Sequence, residues 1–385
     1  MRICLVSLDF KPYRSSGLTI YAEDLAKGLK ELGHSLTVIA AQRNGLPNHD
    51  WVDGVEVLRA PLGSLNWITY CYGASRLLSQ MRQNNPWDVI HFLDVHFAYA
   101  YRGRFIASAW QSFRQRLTAN AGQPYHTSKL DWLRRQAYYR LAKACMEQPC
   151  LRKAGQLLAS CQSTLNEFVS NYHVPPQHID LVYQGIDLNC FHRVPTELLR
   201  TQLGLKNYRL ILTAGFMTPR KGMEYLGRAL QQLPPDVHLL VMGSWESGYR
   251  KAFEKSLGKA ASRVHELGFV SDEERAAYYS LADVYVAPSI LEGLGITPIE
   301  AMACETPAIV TSATSGPEEV GKAGLVVNPR DAEALACAIR TLLGDESLRI
   351  KLGKLGRERV VSNFSHRKMA YMTQQVYQKV LGKVN

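Results

Sequence analysis

No stretch of the chain approaches the ~18 consecutive apolar residues of a membrane-spanning helix. The eight cysteines (Cys4, Cys71, Cys145, Cys150, Cys161, Cys190, Cys304 and Cys337) form no C-x-x-C pair and no His–Cys cluster of zinc spacing. Most have apolar neighbours, so buried free thiols are expected, and with them a reducing, cytoplasmic setting. The N-terminus turns polar by Asp9, too soon for a secretory signal, and reads as a first strand. The G-x-G-x-x-G fingerprint of a dinucleotide fold is missing, and so is any low-complexity tract. What is present is a globular composition, 46% apolar and 21% charged, over 385 residues. That length exceeds one ordinary α/β core and suits two domains.

Charge is unevenly placed. The net charge is +11, and the segment from Phe97 to Lys153 carries eleven Lys/Arg against two acids, Asp131 and Glu147. Ten aromatics share this segment, among them Trp110, Phe113, Trp132, Tyr138 and Tyr139. Such a composition suits an anionic membrane surface, an acidic acceptor or nucleic acid. It equally suits a solvated basic face whose aromatics belong to the core. Leu130, Leu133, Ala137, Leu141 and Ala144 recur at helical spacing within it and predict an amphipathic helix.

Strand and helix signals alternate through both halves. Ile3–Ser7, Ser35–Ala40, Val55–Leu58, Val89–Phe92, Phe105–Ala109 and Gln156–Ala159 read as strands of the first half. Leu18, Tyr21, Leu25, Leu29 and Leu32 mark its first helix, closed by Gly33. The pattern restarts with strands at Arg209–Ala214, His238–Met242, His265–Gly268, Val284–Ala287, Ala308–Thr311 and Leu325–Val327. The segment Gln184–Pro195 is the natural linker, dividing the chain into 1–188 and 189–365, and Arg367–Val384 reads as one more helix, crossing back to the first domain. Repeated β-α units imply parallel sheets covered on both faces, so the expected fold is α/β, two Rossmann-like doubly wound domains facing a cleft.

The most informative run lies in the second half, where the strand Val284–Ala287 leads into Glu292, Gly293, Leu294, Gly295, Ile296, Thr297, Pro298 and Glu300. Two carboxylates eight positions apart flank a glycine turn, and Thr297-Pro298 reads as N-cap and first helical residue. Strand, glycine loop and helix N-terminus is how an α/β protein holds a phosphate or polyhydroxyl ligand. Thr297-x-x-Glu300 is also a capping box, as is Ser271-x-x-Glu274, and for Glu300 both readings stand. Glu292, just before the turn, has no such structural duty. Gly215 ends an earlier strand, and Arg220, Lys221 and Gly222 precede a helix starting near Met223. Two adjacent cations there make a clamp for a diphosphate, or a solvated turn if taken alone. Strand ends of one parallel sheet converge, which brings Arg220 and Lys221 to the edge that holds Glu292 and Glu300. Cations for phosphates beside carboxylates for hydroxyls describe a nucleotide-sugar site. Ser16-Gly17, at the first strand–helix turn, could offer backbone N–H groups to the same ligand.

With these residues in place the chain resembles a retaining glycosyltransferase of family 4 with the GT-B fold (glycosyl transferases group 1). The likeness runs through Gly215, Arg220-Lys221-Gly222, Leu267–Val270, Leu281–Ser289, Glu292–Ala303, Thr306-Pro307, Gly316–Val320 and Ala323–Pro329. It continues more loosely through Ser16-Gly17, Leu32–His34, Asp88–His91 and Leu181–Asp187. The resemblance implies transfer of a sugar from a nucleotide diphosphate sugar to a hydroxyl of a glycan or lipid acceptor. It implies an acceptor-binding N-terminal domain, a donor-binding C-terminal one, no metal, no cofactor and no nucleic-acid partner. By it, Glu300 would bind the donor ribose, Glu292 the sugar hydroxyls, and Arg220 and Lys221 the diphosphate. The amides of Gly293, Leu294, Gly295 and Ile296 would face sugar and diphosphate, the residues Gly268–Val270, Val270 foremost, would flank the base, and Gly17 and Gly215 would allow close approach.

Two positions depart from the family. Its arginine after the glycine matching Gly215 is Phe216 here, with Arg220 as the candidate replacement. Its active-site histidine falls at Leu93, with His96 three residues on as the candidate substitute. A lone histidine is more often structural. These departures also motivate the alternative of a non-catalytic nucleotide-sugar-binding subunit. The basic, aromatic segment 97–153 directs the expected location to the cytoplasmic face of the plasma membrane, as a peripheral protein.

Overall fold

A computed structural model describes residues 1–13, 17–63, 67–81, 87–121, 129–313 and 315–382. The chain divides into two compact units, one of Met1–Leu117, Gln136–Gly185 and His366–Asn385, the other of Thr118–Arg135 and Ile186–Ser365. Ser15, Ser16 and Val384 lie outside the described residues.

The first unit is built on eight strands: β1 (Arg2–Val6), β2 (Ser35–Ala41), β3 (His49–Val52), β4 (Val55–Ala60), β5 (Val89–Phe92), β6 (Ile106–Ala109), β7 (Gln156–Ala159) and β8 (Ile179–Leu181). They lie in the order β3-β4-β2-β1-β5-β6-β7-β8. All neighbours are parallel except β3, which runs antiparallel to β4. Along β1 the side chains alternate: Cys4 and Val6 join one core with Tyr70, Phe92 and Phe168, while Ile3 and Leu5 join another with Leu25, Leu29 and Tyr377. A parallel sheet buried on both faces follows directly. The helix His366–Val380 packs on the helix Gly17–Glu31, so closely that a Cβ on Gly28 would lie 2.6 Å from that of Ala370.

The second unit holds β9 (Arg209–Ala214), β10 (Val237–Met242), β11 (Val264–Gly268), β12 (Val284–Ala287), β13 (Ala308–Thr311) and β14 (Gly324–Val327). Their order is β11-β10-β9-β12-β13-β14, all parallel. Counted from β9 this is 3-2-1-4-5-6, the dinucleotide-fold order, even though the glycine fingerprint is missing. Strand order reverses between β9 and β12, and the loops leaving those two strands open a crevice at the sheet's carboxyl edge. In the first unit the same reversal falls between β1 and β5.

The amphipathic helix expected inside the basic segment is present, and its apolar stripe is not part of a core. The helix Lys129–Ala142 forms, but Leu130, Leu133, Ala137 and Leu141 face outward, as does Ala144 in the π-helical turn Lys143–Glu147. Leu130, Leu133 and Leu141 are 58%, 55% and 66% exposed.

Candidate active site

The loop after β9 begins at Gly215, whose φ of +128° suits glycine, and closes in the short 3-10 turn Pro219–Lys221. Gly222 follows in the left-handed region (φ +65°), where a Cβ would lie 2.3 Å from the carbonyl oxygen of Pro288. That contact presses the loop onto the one leaving β12. The Ile290 N–H completes the joint by donating to the Arg220 carbonyl at 2.7 Å. Backbone therefore aligns the cations with the carboxylate. Arg220 Nη1 donates to Glu292 Oε1 at 2.7 Å, and Lys221 Nζ to Glu292 Oε2 at 2.5 Å. Burial alone would raise the Glu292 carboxyl, but Arg220 and Lys221 outweigh it and hold it down to about 2. Glu292 is an anion at any working pH, and the two cations are neutralised only in part by it.

Glu292, Lys221, Gly295 and Thr297 line one cavity with Ser289 and Glu319. The helix beyond the loop spans Ile296–Ala303 with Gly295 as N-cap, so Thr297-Pro298 lies inside its first turn rather than at its start. Here the expected capping box does not form. Thr297 Oγ1 instead accepts from the Tyr285 hydroxyl at 2.7 Å. The Glu300 side chain is fully buried and turned to the helix Asp272–Leu281, where its Oε2 accepts from Arg275 and, at 2.6 Å, from the Tyr279 hydroxyl. Its Oε1 is buried without a hydrogen-bond partner among the described residues. A buried acceptor left open in this way can take a ligand hydroxyl. The Ser271–Glu274 pair likewise bonds side chain to side chain, at 2.8 Å, with no side-chain cap to the backbone.

Gly295 is a glycine for room rather than for backbone angle. Its φ is −76°, and a Cβ on it would lie 2.8 Å from both carboxyl oxygens of Glu319. Val270, after β11, is buried, whereas its neighbour Phe269 is 90% exposed and presents its ring beyond the same sheet edge. Arg275, Tyr279 and Glu319 were not singled out from the sequence, whereas Phe269 falls in the Gly268–Val270 stretch expected beside the base. Glu319 stands in the quoted Gly316–Val320 run, and Phe269 at a strand's carboxyl end. Arg275 and Tyr279 carry no local signal, since only the packing of two helices brings them to Glu300.

In the first unit, Gly17 opens the helix after β1, with no atom within 4 Å of where its Cβ would stand. His96 follows β5 in the short 3-10 turn Val95–Ala98. Both therefore lie beside that unit's strand-order reversal. His96 Nδ1 is 2.6 Å from Asp94 Oδ1, and Nε2 is 3.5 Å from the buried Glu147 on the π-helical turn. Burial would depress the imidazole, but Asp94 and Glu147 lift it to about 9, so the ring is protonated at neutral pH. Leu93 is fully buried in the core, and Phe216 is 54% exposed. His91 is buried between the Tyr377 hydroxyl at 2.7 Å and Ser108 Oγ at 2.9 Å, and burial lowers it to about 3, a structural role.

Comparison with known proteins bears on the family and the fold. The family model for Glycosyl transferases group 1 matches residues 195–359, and that for Glycosyltransferase Family 4 matches residues 15–189. The MMP alpha-(1->4)-mannosyltransferase of Mycolicibacterium hassiacum is 27% identical, with 100% of this chain and 99% of that protein aligned. Sucrose-phosphate synthase from Thermosynechococcus elongatus superposes with a TM-score of 0.85 at 23% identity, covering 99% of each chain. Anabaena HepE, solved in complex with UDP-glucose, superposes at 0.74 with 18% identity, covering 98% of this chain and 100% of its own. The two parallel-sheet α/β units expected from the sequence are those of a GT-B fold.

Proposed function

We propose that this chain, which belongs to the family 4 glycosyltransferases, moves a sugar from a nucleoside diphosphate sugar to an acceptor hydroxyl, with retention of anomeric configuration and without a metal. The observation that carries the proposal is the Arg220–Lys221–Glu292 cluster at the strand-order reversal of the second sheet. An incoming diphosphate would compete with Glu292 for the two cations and leave the carboxylate to accept from sugar hydroxyls. The amides of Gly293 to Ile296 would face the same groups, Glu300 Oε1 the ribose, and Phe269 with Val270 the base. As the bond from anomeric carbon to phosphate oxygen breaks, the leaving diphosphate gains charge. Arg220, Lys221 and the N-terminus of the helix Ile296–Ala303 would stabilise it. The acceptor oxygen would attack from the same face, and its proton would pass to the departing phosphate oxygen. His96 enters as a fixed cation rather than as a base, because its ring is already protonated.

A mannosyltransferase relative and a neighbour solved with UDP-glucose support testing more than one donor. A thermal-shift screen against UDP-, GDP-, ADP- and dTDP-sugars reads the donor directly, because a ligand of the native state at ~100 Kd adds ~2.7 kcal/mol of stability. No shift with any of them would contradict the proposal. Phe216 and Leu93 favour a second reading, a subunit that binds the nucleotide sugar and transfers nothing. Binding without hydrolysis or transfer across a broad acceptor panel would select it.

The outward stripe of the helix Lys129–Ala142 supports a lipid or lipid-linked glycan acceptor at the cytoplasmic membrane face. Leu130, Leu133, Tyr138 and Leu141 are exposed beside the exposed cations Lys129, Arg134 and Arg140. Apolar groups flanked by cations match an anionic bilayer surface. Replacing Leu133 and Leu141 together by aspartate is expected to lower affinity for phosphatidylglycerol vesicles at least ~100-fold, since each buried leucine contributes ~1.5–3 kcal/mol. Wild-type protein that ignores such vesicles in co-sedimentation would refute the attachment.

A further inference from the structure

The first unit carries a cavity at the sheet edge opposite to the one that Gly17 and His96 share, among the starts of β1, β2 and β4. It measures about 290 Å³, and two indoles, Trp51 and Trp87, line it together with Thr37, Glu56, Lys30 and His34. Strand pairing sets the order of these groups. Thr37 on β2 is the register partner of Glu56 on β4, and Glu56 is that of Trp51 on β3. Directly paired residues project from one face, so the three stand in a row across strands ~4.8 Å apart. Trp87, just before β5, extends the row, because its Nε1–H donates to Thr37 Oγ1 at 3.1 Å. Thr37 is buried and gives its own proton to Glu56 Oε2 at 2.9 Å. The row reads indole, hydroxyl, carboxylate, indole.

The chemistry of the row selects its ligand. Trp51 is 65% exposed on the edge strand, which leaves most of its apolar ring in water. Glu56 takes Thr37 on Oε2, and His49 Nε2 stands 3.2 Å from Oε1. A carboxylate has about four acceptor positions, so others remain for ligand hydroxyls. The basic groups nearby are engaged. Lys30 Nζ donates to the Asp53 carbonyl at 2.5 Å, seated close to where a Gly54 Cβ would stand. His34 Nε2 lies 2.7 Å from Gln374 Oε1, and burial lowers its imidazole below the ordinary 6.5, so the ring is neutral at pH 7. Asp88 stands beside Arg2, its Oδ2 accepting from the Arg2 N–H at 2.7 Å. A carboxylate within the cavity and acids beside its cations oppose an anion. Aromatic faces flanking hydrogen-bond acceptors match a sugar ring, with apolar C–H faces and a hydroxyl edge.

We propose that this cavity is a second saccharide site, which holds one ring of a neutral glycan stacked on Trp51 with its hydroxyls donating to Glu56. The volume agrees, since it lies at the lower limit of the ~300–1,000 Å³ of ordinary ligand pockets and suits one ring better than a nucleotide. The length of β1, five residues, separates this edge from the one that holds Gly17 and His96 by roughly 15 Å. A ring bound here is therefore a different ring from any bound beside His96. A chain held at a second point keeps its free end at a high local concentration. The inference goes beyond the donor reading and does not depend on it.

Affinity electrophoresis of the full chain, without nucleotide, tests the site through gels that contain dextran, glycogen, mannan, galactomannan or xylan. At least one of these neutral polysaccharides should retard the wild type. Trp51→Ala should raise that Kd ~10-fold, and Trp51→Tyr, which keeps an aromatic face, should stay within ~3-fold. Glu56→Ala should raise it ~10-fold through the lost hydroxyl partner. Trp51 is exposed, so its variants keep the fold, and a thermal melt checks this. Retardation by none of the five, or retardation unchanged in both Trp51→Ala and Glu56→Ala, would overturn the proposal. Tighter binding of polygalacturonate with the same dependence on Trp51 would make the cavity an anion site instead. A dimer in sedimentation velocity that Trp51→Ala dissolves, with no glycan bound, would make it an interface between copies. Failure of every nucleotide sugar to bind would remove the donor reading and leave this one standing.

Discussion

Glu292→Gln is expected to lower sugar transfer by ~10^2–10^3-fold while nucleoside diphosphate binds as tightly as before, or up to ~10-fold more tightly. The two effects have opposite signs because Glu292 has two partners. In the free protein it neutralises Arg220 and Lys221, the groups assigned to the diphosphate. Lowering a buried carboxyl from 4.5 to about 2 corresponds to roughly 3 kcal/mol of coupling at ~1.4 kcal/mol per pH unit. A diphosphate entering the site has to replace part of that interaction, and a neutral glutamine releases the cations in advance. The sugar loses its carboxylate partner in the same substitution, so the transition state pays for it. Calorimetric titration with UDP and GDP, beside steady-state transfer rates, checks both halves. A variant that keeps wild-type transfer, or binds the nucleotide markedly less well, contradicts this account of Glu292.

Glu300→Ala is expected to destabilise the second unit by ~3 kcal/mol, because it leaves the Arg275 guanidinium, 13% exposed, with one carboxylate, Asp272 at 3.2 Å, in place of two. In a unit of this size each kcal/mol moves the melting temperature by ~2–4 °C, so a drop of roughly 10 °C follows. Donor affinity should fall as well, and loss of fold could mimic loss of a ribose contact. The pair Arg275→Met with Glu300→Leu separates them. With both charges removed and the volume refilled, stability should return to within ~1–2 kcal/mol of wild type, while nucleotide affinity should not recover. Recovery of both would reduce Glu300 to a structural ion pair.

Legibility from sequence followed the range of the interactions involved. Strands such as Arg209–Ala214, built on Leu210-Ile211-Leu212, and Val284–Ala287 carry short apolar runs, and the structure has them with those bounds. The edge strand His49–Val52 escaped because its side chains are half exposed and show no period, although the Asp53-Gly54 turn after it, with φ of +51° and +71°, is a hairpin signal. The stripe from Leu130 to Ala144 marked its helix by period, but periodicity reports a face, and only packing says what meets it. The convergence of Arg220, Lys221 and Glu292 could be argued from strand order alone, since loops at one sheet edge must meet. The partners of Glu300 could not, because Arg275 reaches it across a helix–helix contact.

The central claim is that the crevice between β9 and β12 takes the diphosphate of a nucleotide-linked donor. Isothermal titration of the screened nucleoside diphosphate into wild type and into the Arg220→Ala/Lys221→Ala double variant tests it most directly. The account predicts Kd at least ~100-fold higher in the variant, two charge-assisted contacts at ~1.5–3 kcal/mol each, with the fold intact by thermal melt. An unchanged Kd in a folded variant would contradict it.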